Sequence, residues 1–169
     1  MHVVLIGLMG SGKSTVGRPL AARLGFAFVD NDVMLERRTG RRARDIAAAD
    51  GVDALHQLER AVLADALSDP VPAVITAAAA APLVDGAEQF AGHHVVYLHG
   101  EPSTLAPRLV GGGGHRPFVD AGDTLELLRA QYAARDPIYR MLATTIVDAG
   151  RPPDAIVEAI IQAVAPTRT

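Results

Sequence analysis

Lys13 and Ser14, set behind glycines at positions 7, 10 and 12, are the residues of this chain most clearly placed to do chemistry. Residues 7–14 read GLMGSGKS and fit G-x-x-x-x-G-K-[ST] at every fixed position. Such a set holds an anion with several oxygens. Gly7, Gly10 and Gly12 open backbone conformations closed to other residues, so that successive N–H groups converge on one phosphate. Gly10, Ser11, Gly12 and Thr15 form the cradle, Lys13 reaches the β- and γ-phosphates, and the Ser14 hydroxyl is placed to coordinate Mg²⁺. A bare glycine turn needs neither the lysine nor the hydroxyl, so the pattern implies a bound nucleoside triphosphate.

The other candidates carry charge. Asp30 and Asp32 follow a short apolar run, and two carboxylates there can hold Mg²⁺ through water or accept a proton from a substrate hydroxyl. The alternative is a solvated loop with Asp32 capping a helix. Arg116 follows the run Gly111–Gly114 and suits clamping of the γ-phosphate, or is simply a solvated loop arginine. Arg135 is expected at a helix end, where compensation of the helix dipole would alone explain it. The six histidines form no metal-ligand spacing such as H-E-x-x-H.

These residues need elements to hold them. The apolar run at 2–6 reads as a buried strand, and Val16, Leu20 and Leu24 then recur at helical spacing. Pro19 should bend or weaken that helix and Gly25 should end it. Further strands are expected at 26–30, 71–76, 94–99 and 144–148. Helices are expected from 31 to about 39, over 42–49, and over 53–67 with Leu55, Leu58, Val62 and Ala66 on one buried face. Others should start at Pro82 and at Pro102. Asp123-x-x-Glu126 has capping-box spacing for a helix that ends near Arg135, with Asp136-Pro137 interrupting the pattern. The last helix is expected over 153–164. Strands alternating with helices imply a parallel sheet covered on both faces, with phosphate loop and aspartates at its carboxyl edge. Residues 111–122 are expected to form a mobile lid loop on a single domain spanning 1–169.

Composition narrows the classes. Sixteen basic and nineteen acidic side chains give a net charge of −3, which argues against a nucleic-acid binder. The chain has no cysteine, which excludes disulfides and thiolate metal sites and fits a cytoplasmic protein. The apolar start is too short for a signal peptide or a membrane span. Aromatics are 4% of the chain, so the core is expected to be mostly Ala, Val, Leu and Ile. Composition leaves the oligomeric state open, with a monomer expected.

The stretches GLMGSGKST (7–15), DNDVMLERRTG (30–40), HRPF (115–118) and ARDPIYR (134–140) resemble the shikimate kinases, in that family's order and spacing over nearly the whole chain. The resemblance implies a three-layer α/β P-loop kinase fold with a five-stranded parallel sheet and a lid. It implies transfer of the ATP γ-phosphoryl, with Mg²⁺, to a hydroxyl of shikimate, a step of aromatic amino acid biosynthesis. By residue, it implies phosphate and metal contacts for Lys13 and Ser14, and assistance to Mg²⁺ by Asp30. It also implies a grip on the acceptor hydroxyls by Asp32, contact with the moving phosphoryl by Arg116, and a grip on the acceptor carboxylate by Arg135. Arg108 and Pro153 lie near the positions that flank adenine in the family, Arg108 displaced by about one.

The chain departs from the family in the acceptor half. Leu55-His56 stands where the family has Phe-Arg, whose arginine completes the carboxylate clamp. Ala78, Ala79 and Ala80 stand where it has three glycines. Losing one charge-assisted hydrogen bond to a carboxylate weakens binding by roughly 1.5–3 kcal/mol. Alanine in place of a left-handed glycine costs roughly 1–2 kcal/mol, unless the loop refolds or the new methyls intrude on the pocket. Arg60, one turn beyond His56, is either a substitute cation or a solvated helix charge. Shikimate is therefore the first acceptor expected, with another polyol, cyclitol or sugar acid as alternative. A nucleotide-binding protein with a decayed acceptor site, acting through a partner, is the non-enzymatic alternative.

Overall fold

Val3 to Ile6 have no exposed surface at all, and the rest of the sheet is built around them. The computed structural model describes residues 1–81, 87–111 and 124–165. Strands β1 (Val3–Ile6), β2 (Ala27–Asp30), β3 (Ala73–Thr76), β4 (His94–His99) and β5 (Thr145–Asp148) form one parallel sheet in the order β2-β3-β1-β4-β5. Helices are α1 (Lys13–Leu24), α2 (Asn31–Thr39), α3 (Ala43–Asp50), α4 (Val52–Ser68), α5 (Pro102–Gly111), α6 (Thr124–Leu142) and α7 (Pro153–Val164). The expected α/β architecture is present.

Strand periodicity divides the core. Val4 and Ile6 join Ile75, Val95 and Tyr97 under α4, α5 and α6. Val3 and Leu5 join Val74, Val96 and Leu98 on the opposite face, under α1 and α7. A third cluster, Leu35, Ile46, Leu55 and Val62, ties α2, α3 and α4 together beside the sheet. The core is largely aliphatic as expected, though Tyr97, Tyr139 and Phe90 are also buried.

One proline expectation fails: α6 runs through Pro137 to Leu142 instead of ending near Arg135, while α1 carries Pro19 within its length. A proline removes one helix hydrogen bond, and tertiary contacts on both sides outweigh that loss in α6. The Tyr97 hydroxyl donates to Asp136 Oδ1 at 2.9 Å and Arg140 Nε donates to Asp136 Oδ2 at 2.8 Å. Just past the proline, the Tyr139 hydroxyl donates to the Ala79 carbonyl. Gly25 ends α1 as expected, at φ 68°, its N–H reaching Ala21 and Ala22 carbonyls. The helix start at Pro82, the Asp123 capping box, and all but the first residue of the 111–122 lid lie outside the described residues.

Helix α4 holds a more consequential difference. Its buried positions are Leu55, Glu59, Val62, Leu63, Ala66 and Leu67, so Glu59 takes the place in the apolar stripe expected for Leu58. Leu58 is only half-buried, against the third cluster. The spacing 55, 59, 62, 66 is as helical as 55, 58, 62, 66, and an acidic residue is discounted in such a reading only because it is charged.

Gly7, at the end of β1, has φ 148°, and a Cβ there would come within 2.8 Å of the Leu98 carbonyl oxygen and 2.9 Å of Ser11 Oγ. That carbonyl belongs to β4 and has no room to retreat. Gly7→Ala should destabilise the protein by roughly 2–4 kcal/mol, combining overpacking with an unfavourable backbone angle. Thermal unfolding checks this, and a melting temperature equal to wild type would show that the loop re-forms around a side chain.

Candidate active site

The carboxyl ends of β1, β3 and β2 open onto one cleft of about 570 Å³, within the range that encloses a small-molecule ligand. Its phosphate end is lined by Met9, Gly10, Gly12, Lys13, Ser14 and Thr15. Gly10 and Gly12 have φ of 79° and 89°, conformations that glycine adopts freely. The first turn of α1 has neither a side-chain cap nor an acidic residue, so its N–H groups and partial positive charge are left for an anion. Lys13 Nζ donates to the Gly7 and Leu8 carbonyls at 2.8 and 3.1 Å, so it curls back over its own loop. Ser11 lies beneath the loop, 1% exposed, with its hydroxyl unpartnered among the described residues.

The alternative reading of Asp32 as a helix cap does not hold. The helix cap is Asp30, not Asp32: Asp30 Oδ1 accepts the Asp32 N–H at 3.1 Å and so starts α2. Asp30 Oδ2 accepts the Ser14 hydroxyl at 2.7 Å. Ser14 and Asp30 thus present two hard oxygen donors together beside the phosphate loop, the ligand type that would suit Mg²⁺. Among the described residues no group of three or more His, Cys, Asp or Glu converges as a metal cage. Asp32, in the first turn of α2, is exposed and also lines the cleft.

At the acceptor end stand His56, Glu59, Ala78–Ala80, Gln131 and Arg135. Arg135 lies inside α6 rather than at its end, so compensation of a helix terminus no longer accounts for it. Its Nη1 approaches Gln131 Oε1 at 3.4 Å. The neighbouring Tyr139 hydroxyl is pushed up to about 12 by burial, with the Arg135 charge opposing. His56 is held below its ordinary value by burial first and the Arg135 charge second, so it is neutral at pH 7 and offers no second cation. Arg60 is not among the residues that line the cleft, and its Nε donates to the His56 carbonyl at 3.3 Å, so it does not substitute for the missing arginine.

The alanines are not strained. No residue other than glycine has positive φ among those described, so Ala78, Ala79 and Ala80 adopt ordinary backbone angles. The strain alternative is thereby removed; the three alanines line the cleft, and the Tyr139 hydroxyl holds the Ala79 carbonyl.

Arg108 and Pro153 do not line this cleft. Arg108 reaches from α5 to the Ala149 carbonyl at 2.9 Å and the Gly10 carbonyl at 3.5 Å, bridging phosphate loop and β5–α7 connection. Pro153 is exposed at the start of α7. Arg116 lies outside the described residues. Sequence reasoning passed over Asn31, Arg42, Arg44, Glu59, Thr76 and Gln131, all of which face the cleft. Asn31, 2% exposed, has neither its amide oxygen nor its nitrogen partnered among the described residues. Arg42 and Arg44 sit at the outer rim, each near an exposed carboxylate, Glu36 at 3.7 Å and Asp45 at 3.4 Å.

A family model described as shikimate kinase matches residues 9–165. The shikimate kinase of Mycobacterium avium is 42% identical over 159 residues, covering 94% of this chain and 90% of the relative. Among solved structures, a shikimate kinase from Acinetobacter baumannii in complex with shikimate superposes with a TM-score of 0.85 at 28% identity, covering 98% of this chain and 95% of that one. A gluconokinase from Sinorhizobium meliloti superposes less well, with a TM-score of 0.70 at 26% identity, covering 97% and 91%. With the phosphate loop, the paired aspartates and Arg135 converging on one cleft, the chain belongs to the shikimate kinase family and is an ATP-dependent small-molecule kinase.

Proposed function

We propose that this kinase uses ATP with Mg²⁺ to phosphorylate a hydroxyl of a small acidic acceptor, with shikimate the first candidate. The observation that carries this reading is the cleft itself, with Lys13 and Ser14 at one end and Arg135 at the other. Such an arrangement suits a molecule that is a hydroxyl nucleophile on one side and a carboxylate on the other.

In this reading the loop N–H groups and the α1 terminus hold the β- and γ-phosphates, and Lys13 leaves the Gly7 and Leu8 carbonyls to follow the charge on the moving phosphoryl. Ser14 and Asp30 would hold Mg²⁺, which neutralises phosphate charge when bound. Asp32, at the junction between the two ends, orients the acceptor hydroxyl and takes its proton. Arg135 meets the carboxylate with its planar fork. The family resemblance would give Arg116 the γ-phosphate, and Arg108 and Pro153 the adenine. The protein acts as a monomer on a small molecule, without nucleic acid. A cytoplasmic setting fits its cysteine-free composition, and among the described residues no helix is long and apolar enough to cross a membrane.

A sugar acid is the second reading, favoured by neutral His56, the methyl-lined acceptor wall and the likeness to a gluconokinase structure. ADP release with ATP and Mg²⁺, measured against shikimate, gluconate and neutral polyols, separates them. Turnover confined to neutral polyols would defeat the acidic acceptor, and turnover with gluconate but not shikimate would move the assignment to the second reading.

A further inference from the structure

Glu59 is a carboxylate in an unusual position. It is 7% exposed, sits in the apolar stripe of α4, lines the acceptor end of the cleft, and makes no hydrogen bond or ion pair among the described residues. His56, one turn before it, stands where the family carries a permanent cation. Charged groups face Glu59 from three other elements: Asp32 from α2, Arg135 from α6 and Lys13 from α1. A buried carboxylate with no donor is costly when ionised, because nothing replaces its hydration.

We propose that Glu59 is the group that selects the charge of the acceptor: it meets an acidic acceptor as a neutral carboxylic acid, donating its proton as a hydrogen bond to the acceptor carboxylate beside Arg135, and opposes that acceptor once ionised. This rests on the acidic acceptor proposed above. The two carboxyl groups then share one proton and one guanidinium, a combination that offsets part of what a second arginine would contribute. It gives the histidine at position 56 a chemical counterpart: a hydrogen bond to the acceptor comes from one turn along, from a carboxyl group whose burial favours its protonated form.

Supporting this, Glu59 is pushed up to about 7, by burial first and by the Asp32 charge second, with Arg135 and Lys13 opposing. The sign follows. Below that value Glu59 is neutral and donates, while the acceptor carboxylate, with an ordinary value near 4, is already ionised. Above it Glu59 is negative, and binding the acceptor requires a proton from solution. The acceptor KM should therefore rise roughly tenfold between pH 6 and pH 8, with kcat and the ATP KM changing little over that step. His56 titrates lower, being depressed, and persists in a Glu59 variant, so any slope it causes stays behind.

The test compares wild type and Glu59→Gln with shikimate at saturating ATP from pH 6 to 8.5, using the methyl ester of shikimate as an uncharged control. Glutamine keeps a donor N–H and carries no charge, so its shikimate KM should stay flat and near the wild-type value at pH 6. The ester should give a flat profile with either protein. Calorimetric titration of wild type with shikimate at pH 7, in buffers of different ionisation enthalpy, should show uptake of about half a proton per acceptor bound. This second measurement stands even if the variant does not fold. Turnover with equal KM slopes in both proteins, or binding without proton uptake, overturns the role of Glu59 and leaves the acidic acceptor standing. Absence of shikimate binding and turnover at every pH overturns the shikimate reading and this proposal together.

Discussion

Lys13→Ala should lower kcat by roughly a hundred- to a thousandfold or more, the scale on which removing one preorganised donor to a developing charge acts. It should weaken ATP binding as well, because in the proposed reading the lysine meets phosphate oxygens before the reaction and during it. The fold should survive. Lys13 is half-exposed at the first position of α1, and its bonds to the Gly7 and Leu8 carbonyls can pass to water in an open cleft. Those two bonds also mean that ATP must draw the ammonium off its own loop, so part of the gross interaction energy is offset by the bonds given up. ADP release, calorimetric binding of a non-hydrolysable ATP analogue and a thermal melt together check this. A folded variant that binds the analogue like wild type would show that the loop lysine has no part in phosphate recognition.

The second large effect is expected at the acceptor. His56→Arg should lower the shikimate KM by roughly ten- to a hundredfold, the worth of one charge-assisted hydrogen bond of about 1.5–3 kcal/mol. His56 is neutral and short, whereas arginine there would bring a permanent fork to the same end of the cleft as Arg135. Replacing Ala78–Ala80 with glycines should help further by removing methyls from the wall. It should cost stability through backbone entropy, since these positions use angles that alanine adopts without strain. The measurement is shikimate-dependent ADP release by wild type, His56→Arg and the combined variant at saturating ATP. A gain over a measurable wild-type rate marks a weakened shikimate pocket. Activity appearing only in the combined variant marks an intact phosphoryl-transfer half joined to a pocket tuned for another acid. Silence from all three would defeat shikimate as acceptor.

Most of the fold was legible because strands of four to six apolar residues and glycine-ended helices are local signals. The phosphate end was legible for the same reason, since its residues are contiguous between β1 and α1. The acceptor end draws on α2, α4, β3 and α6, and only tertiary packing says which side chains meet. Glu59 shows the limit: its charge concealed that it keeps the helical period of Leu55 and Val62. Asp136-Pro137 shows another, since a local breaker was overridden by Tyr97, Arg140 and Tyr139, whose contacts span distant parts of the chain. Arg135 was placed at a helix end for that reason, which left an electrostatic explanation open that the continuous helix removes.

The strand order carries a consequence for how the molecule comes into being. β1 is central and wholly buried, yet its partners are β3 and β4, the latter following it by about ninety residues. At the usual pace of synthesis, about 5–20 residues per second, the phosphate-loop strand waits on the order of 5–20 seconds for its second neighbour. For that interval Val3 to Ile6 form a bare apolar β segment, the kind that pairs with whatever edge it meets. Non-local parallel pairing is also slow in its own right. The strand that carries the phosphate loop is thus a liability on the ribosome, and slowing translation ahead of residue 94 should lower the yield of native protein.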